Sequence, residues 1–142
     1  MDHFQNPEQV LIIPCSGIGK VHGLVSREAT YSAIEHLPGQ SGTVCLALLV
    51  TGDPETRQKV QQRPSIAVDG CPKQCAQKNV ELAGGKVALA VRVYETMKRH
   101  RGENFGTATA LSQQGLAMAD EIGGSIAAAA RDILVLAEGH HG

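Results

Sequence analysis

The 142-residue chain has no tryptophan, only two tyrosines and two phenylalanines, and no surplus of either charge, with 13 Lys and Arg against 14 Asp and Glu. Nucleic-acid affinity rests on a basic surface that displaces counterions and, for single strands, on aromatic rings that stack with bases. Lacking both, the sequence speaks against a nucleic-acid partner. It also lacks any apolar run near the roughly 20 residues that a membrane-spanning helix needs. The polar residues 1–7 contain nothing like the hydrophobic region of a secretory signal. The expectation is a cytoplasmic protein with no membrane partner, forming one domain over residues 1–142. At this length a core forms without metals or disulfides to hold it. In a reducing compartment its four cysteines, Cys15, Cys45, Cys71 and Cys75, are better read as metal ligands or reactive thiols than as structural disulfides.

Val10-Leu11-Ile12-Ile13 is a continuous, β-branched run that suits a strand buried on both faces of a parallel sheet, closed by Pro14 with Cys15 at its exit. The glycine turn Ser16-Gly17-Ile18-Gly19-Lys20 follows. Val21, Leu24, Val25, Ala29 and Ala33 then recur at helical spacing until Pro38-Gly39 stops the pattern. Residues 43–50 fit either a strand, by β propensity, or a short buried helix through Leu46-Ala47-Leu48-Leu49. Asp53-Pro54 supplies an N-cap and first helical position for a polar helix over 55–62. Ile66-Ala67-Val68 reads as a buried strand, 75–82 as a helix ended by Gly84-Gly85, and Val87-Ala88-Leu89-Ala90-Val91 with Val93 as a further strand.

This alternation predicts an α/β fold, a small parallel or mostly parallel sheet with flanking helices and a long C-terminal helical segment. Residues 99–106 read as a loop. A helical extension over 107–138 is expected from Leu111, Gly115, Met118, Ile122, Ile126, Ala129, Ile133 and Leu136, which step by three or four. Gly123-Gly124 costs about 1 kcal/mol per glycine relative to alanine, which predicts a kink or break there. The small residues Ala127 to Ala130 permit close packing on the sheet or on a second subunit. A homodimer through this C-terminal helix is the corresponding expectation; no other protein partner is indicated.

The stretch richest in chemistry is Asp69-Gly70-Cys71-Pro72-Lys73-Gln74-Cys75. With Pro72 at the first helical position, Cys71 falls at or beside the N-cap and Cys75 one turn later, so that both sulfurs face one ion. Four cysteines equal the ligand count of a closed tetrahedral zinc-thiolate site. Cys15 and Cys71 each follow a strand and precede a helix, which puts both at the carboxyl edge where open α/β sheets bind ligands. Cys45 depends on residues 43–50. A parallel strand of that length spans about 20 Å and would leave the thiol at the opposite edge, whereas a helix or loop over the carboxyl edge would admit it.

Neighbouring residues fit the same picture. The glycine turn after Cys15 and a helix start at Cys71 favour thiolates, Lys20 and Lys73 could offset their charge, and Gly17 and Gly70 allow close backbone approach. Asp69 suits a structural role, accepting backbone N–H bonds in the turn. His22 is near enough to Cys15 to act as its base or as a substitute ligand, although a surface or partly buried histidine is the commoner case. His140 and His141, flanked by glycine, read as a disordered tail. The plainer alternative makes Cys15 and Cys45 small buried hydrophobes, with Cys71 and Cys75 merely sharing a helix face. The turn after Cys15 lacks the spacing of a phosphate-binding loop, and Val21 stands where a cysteine phosphatase needs arginine.

Pro14-Cys15-Ser16-Gly17, Cys45-Leu46-Ala47 and Asp69-Gly70-Cys71-Pro72-x-x-Cys75-Ala76 occur in the order characteristic of one family. On these motifs, within residues 10 to 93, the chain resembles the DGC-domain family of zinc-binding proteins. The resemblance implies zinc as cofactor and Cys15, Cys45, Cys71 and Cys75 as its ligands, without implying an activity. A closed tetrathiolate leaves no position for water, which counts against a zinc hydrolase and points to a structural, metal-handling or sensing site. Oxidation of one ligand would release the ion. Two alternatives stay open: a sulfur-transfer or redox enzyme using Cys15, with Cys71 or Cys75 resolving, and an iron-sulfur cluster on the four thiolates.

Overall fold

A computed structural model describes residues 9–15 and 19–139, and the side chains of these up to residue 136. Ser16, Gly17 and Ile18 of the glycine turn, and the tail with His140 and His141, lie outside the described residues. In chain order the elements are β1 (Val10–Cys15), α1 (Val21–Glu35), β2 (Ser41–Gly42), α2 (Leu46–Val50), α3 (Pro54–Gln62), β3 (Ser65–Asp69), α4 (Cys75–Leu82), β4 (Val87–Arg92), α5 (Val93–Lys98) and α6 (Gln113–Gly139). The strands form one parallel sheet in the order β2-β1-β3-β4. No helix among the described residues is long and apolar enough to cross a membrane.

The unbroken apolar character of β1 and β3 follows from burial on both faces. Val10, Ile12, Ile66 and Val68 point into one core with α1, α5 and α6, while Leu11 and Ile13 point into a second with Leu49 of α2, Val60 of α3 and Val80 of α4. The chain therefore leaves β1 toward one face, into α1, and leaves β3 toward the other, into α4. The gap between these diverging connections is the topological switch point, where a parallel sheet opens a crevice beyond its carboxyl ends. Cys15 pairs in register with Asp69 across that point.

Residues 43–50 take the helical alternative. Only Ser41 and Gly42 pair with β1, and after three connecting residues α2 begins with Cys45 as its N-cap residue. The i, i+3 pair Leu46 and Leu49 explains the choice, because a single helical turn turns both into the second core. Asp53 caps α3 as its sequence predicts, its Oδ2 accepting from the Thr56 N–H at 3.0 Å and from the Thr56 hydroxyl at 2.7 Å. Those two bonds, the hydroxyl's first, hold its carboxyl below the usual carboxylate range.

Two expectations are corrected. Val93 does not extend β4 but opens α5, where its side chain is buried in the first core. The C-terminal helix is unbroken at Gly123-Gly124, because these glycines have different tasks. A Cβ on Gly123 would stand 2.6 Å from Ser32 Cβ and 2.9 Å from the Ala29 carbonyl oxygen, so α6 crosses α1 at near backbone contact there, whereas Gly124 faces open space. Packing against α1 outweighs the local cost of glycine. The buried stripe of α6 runs through Met118, Ala119, Ile122, Ile126, Ala127, Ala130 and Leu134, and it turns away from Leu136, which is 65% exposed. Before it, residues 107–112 form a turn closed by a bridge between Gly106 and Leu111.

The two glycines should respond to the same substitution with opposite signs. Gly123→Ala is expected to destabilise by about 1–3 kcal/mol through overpacking of α1. Gly124→Ala should stabilise by about 0.5–1 kcal/mol through helix propensity and a less free unfolded chain. Denaturant midpoints with unchanged slopes measure both; equal shifts would contradict the crossing.

Candidate functional site

The carboxyl edge is organised by one buried acid. Asp69, the last residue of β3, is 2% exposed. Its Oδ1 accepts from the Ala76 N–H at 2.8 Å and its Oδ2 from the Gln77 N–H at 3.2 Å. Thus α4 is capped by a carboxylate lying seven residues back along the chain, and residues 70–74 are thrown out as a loop. Gln74 is the N-cap residue in a left-handed conformation, φ 55° and ψ 46°. With its amide oxygen toward Arg92, Gln74 accepts from Nε at 2.8 Å and from Nη2 at 3.1 Å. The end of β4 therefore holds the loop at its strained residue, and Arg92 also faces Glu95 at 3.7 Å.

This corrects the expected helix start. Pro72 is not the first helical residue; it sits in a turn that the Gln74 N–H closes onto the Cys71 carbonyl at 3.3 Å, and α4 begins at Cys75. Cys71 therefore does not sit at a helix N-terminus, whose positive end is met by Asp69 instead. The i, i+4 spacing from Cys71 to Cys75 is not helical spacing here.

Gly70 joins this loop to α1. A Cβ at Gly70 would lie 2.7 Å from the His22 carbonyl oxygen and 2.9 Å from Ser26 Oγ, which donates to that same carbonyl at 2.9 Å. Only glycine admits the first turn of α1 this close. The approach closes a cavity of about 350 Å³ whose walls include Cys15, Lys20, His22, Gly70, Cys71 and Lys73. Two of the four cysteines, from the two sides of the switch point, thus line one cavity. His22 Nδ1 is buried and has no hydrogen-bond partner. Burial and, after it, the Lys20 ammonium hold the imidazole below its ordinary pKa, so it is neutral near pH 7.

Cys45 is exposed at the start of α2, and Cys75 is half-buried at the start of α4, a helix against which α2 packs. Neither is in the walls of that cavity. No disulfide joins any of the four. Among the described residues, no three His, Cys, Asp or Glu side chains stand together in position to hold a metal ion. What the edge offers is a supply of donors: soft thiols at four places and one imidazole, the ligand types zinc takes.

A second, larger groove of about 680 Å³ shares His22 and Pro72 with the first and continues past Tyr94, Met97 and Phe105. His100 Nδ1 lies 2.8 Å from Glu103 Oε2 on its wall. Sequence reading missed it, because Val93 reads as the tail of a strand and 99–106 as a plain loop. Arg92 was missed as well; its signal is weak, a cation ending a strand whose partner loop contains a non-glycine residue at positive φ.

The family model of the DGC domain matches residues 11–118, about three quarters of the chain, and so includes the first turns of α6 as well as all four cysteines. No curated protein and no solved structure matches the chain.

Removing the acid that organises this edge tests its structural role. Asp69→Ala leaves two backbone donors of α4 unpaired, one of them buried, and is expected to cost about 1–3 kcal/mol. Asp69→Asn keeps one acceptor and should cost clearly less. Unfolding by denaturant ranks the pair; equal losses would mean that the negative charge, rather than the two bonds, is what the fold requires.

Proposed function

Because the chain belongs to the DGC domain family, we propose that it is a zinc-binding protein whose Cys15, Cys45, Cys71 and Cys75 surround one ion at the carboxyl edge of the sheet. The observation that supports this most is topological. Cys15 is the last residue of β1, Cys45 lies three residues past β2, and Cys71 and Cys75 lie two and six residues past β3, so every cysteine is at or past the carboxyl end of a strand. Three of them stand in or next to short connections, the Cys71 turn and the five-residue helix α2, that can close on an ion without disturbing either core. The binding free energy of zinc to thiolates is ample to order such segments.

Four thiolates around Zn²⁺ carry a net charge of about -2, and Lys20 and Lys73 beside Cys15 and Cys71 offset it. A closed shell of this kind handles or senses metal, or holds the edge together, in a cytoplasm that keeps the thiols reduced; it does not activate water. The second reading, thiol chemistry at Cys15 with Cys71 resolving, is favoured by one observation: these two line a common cavity that Cys45 and Cys75 do not.

Elemental analysis of protein purified under reducing conditions, with thiol titration before and after chelation, separates these readings. One zinc per chain and four thiols that become reactive only after chelation are expected. Single Cys→Ser changes at the four positions should each weaken zinc binding by about tenfold or more. Metal-free protein with one hyper-reactive thiol at Cys15 would replace the zinc reading by thiol chemistry. A coloured preparation containing iron and sulfide would replace it by a cluster.

A further inference from the structure

We propose that His22 is a metal ligand, forming with Cys15 and Cys71 a three-donor entry site for zinc at the switch point between β1 and β3. The inference rests on the zinc reading above and adds a residue and an order of events to it. The ion is first held by the two thiolates and the imidazole in the cavity, and His22 is then exchanged for Cys45 and Cys75 as the four-thiolate shell closes.

Three observations carry it. First, the walls of the 350 Å³ cavity contain Cys15, Cys71 and His22, but neither Cys45 nor Cys75. Second, His22 Nδ1 is buried with nothing to bond to. Native folds keep few such atoms, because an unpaired buried polar group costs about 1–3 kcal/mol, and those they keep mark bound ions, waters or chemistry. Third, the close approach at Gly70 fixes the first turn of α1 against the loop carrying Cys71, while Cys15 pairs in register with Asp69. The elements that carry His22 and both thiols thus meet at one junction, and binding an ion there requires the three side chains to draw together from the cavity walls they now line.

The chemistry of exchange follows. Two thiolates and a neutral imidazole supply three of zinc's four positions, leaving one for an incoming thiolate. That complex carries no net charge, whereas the four-thiolate shell is anionic, and Lys20 and Lys73 at the same cavity favour the second state. An ion bound this way can be delivered or withdrawn through an intermediate that never leaves it without protein ligands, which is what a metal-handling site needs.

The test uses the full-length Cys45→Ser/Cys75→Ser protein, loaded with zinc or with cobalt as a spectroscopic substitute. The double variant should still bind one zinc, more weakly than the parent. X-ray absorption should report two sulfur ligands plus imidazole nitrogen, against four sulfurs in the parent. Adding His22→Ala should lower the remaining affinity at least about tenfold and remove the imidazole signal, with Cys15 and Cys71 intact. His22→Gln, of similar reach but a poor zinc ligand, repeats the test should the alanine variant fail to fold. A double variant that binds no zinc, or whose affinity and cobalt spectrum ignore His22, overturns the entry site while leaving four-thiolate binding in the parent untouched. A parent that binds no zinc removes both readings together.

Discussion

The capping of α4 by the Asp69 carboxylate is the contact on which the carboxyl edge depends. A helix start presents several unpaired N–H groups, and the common solution is a polar residue immediately before it. Here the acceptor comes from the end of β3, two of its oxygens serving Ala76 and Gln77. The chain between strand and helix must then leave the direct path, and it does so as a loop with a left-handed residue at Gln74 and a turn at Cys71. A carboxylate at the helix start would repel a neighbouring thiolate. Cys71 is instead carried out into the loop, where it lines the cavity.

Around this cap the molecule divides into a stiff part and a part built from short connections. The stiff part is the sheet, whose β1 and β3 are buried on both faces, and the α1–α6 pair packed at near backbone contact through Gly123. The other part is the edge itself: a turn at Cys71 and a one-turn helix after Cys45. A core packed at this density resists deformation, whereas connections of a few residues adjust at little cost. The cysteines beyond β2 and β3 lie on or beside such connections, which are anchored to the sheet.

Much of this was legible in the residues. The apolar runs of β1 and β3, the polar helix α3 with its Asp53-Pro54 start, and the placement of Cys15 and Cys71 at one edge follow from burial pattern and from βαβ alternation. The helix after Cys45 was one of two alternatives, and what decided it was the second core, which takes Leu46 and Leu49 from the same side of a helical turn. The Cys71 to Cys75 spacing misled, because a proline after a cysteine favours a helix start locally, and nothing nearby shows that a carboxylate two residues before that cysteine will claim the helix end.

The sequence by itself determined the class of fold, the location of β1 and β3 and the edge of the sheet at which Cys15 and Cys71 emerge, since these depend on residue periodicity and on the geometry of parallel connections. Tertiary structure alone decided which donors share a cavity. His22 lines the same cavity as Cys71 because Gly70 admits α1, α6 stays whole because α1 covers Gly123, and Gln74 holds a left-handed turn that Arg92 braces. Each is a contact between residues distant in the chain, where the gain in packing or hydrogen bonding outweighs a local preference of about 1 kcal/mol. Periodicity and propensity cannot register such a balance.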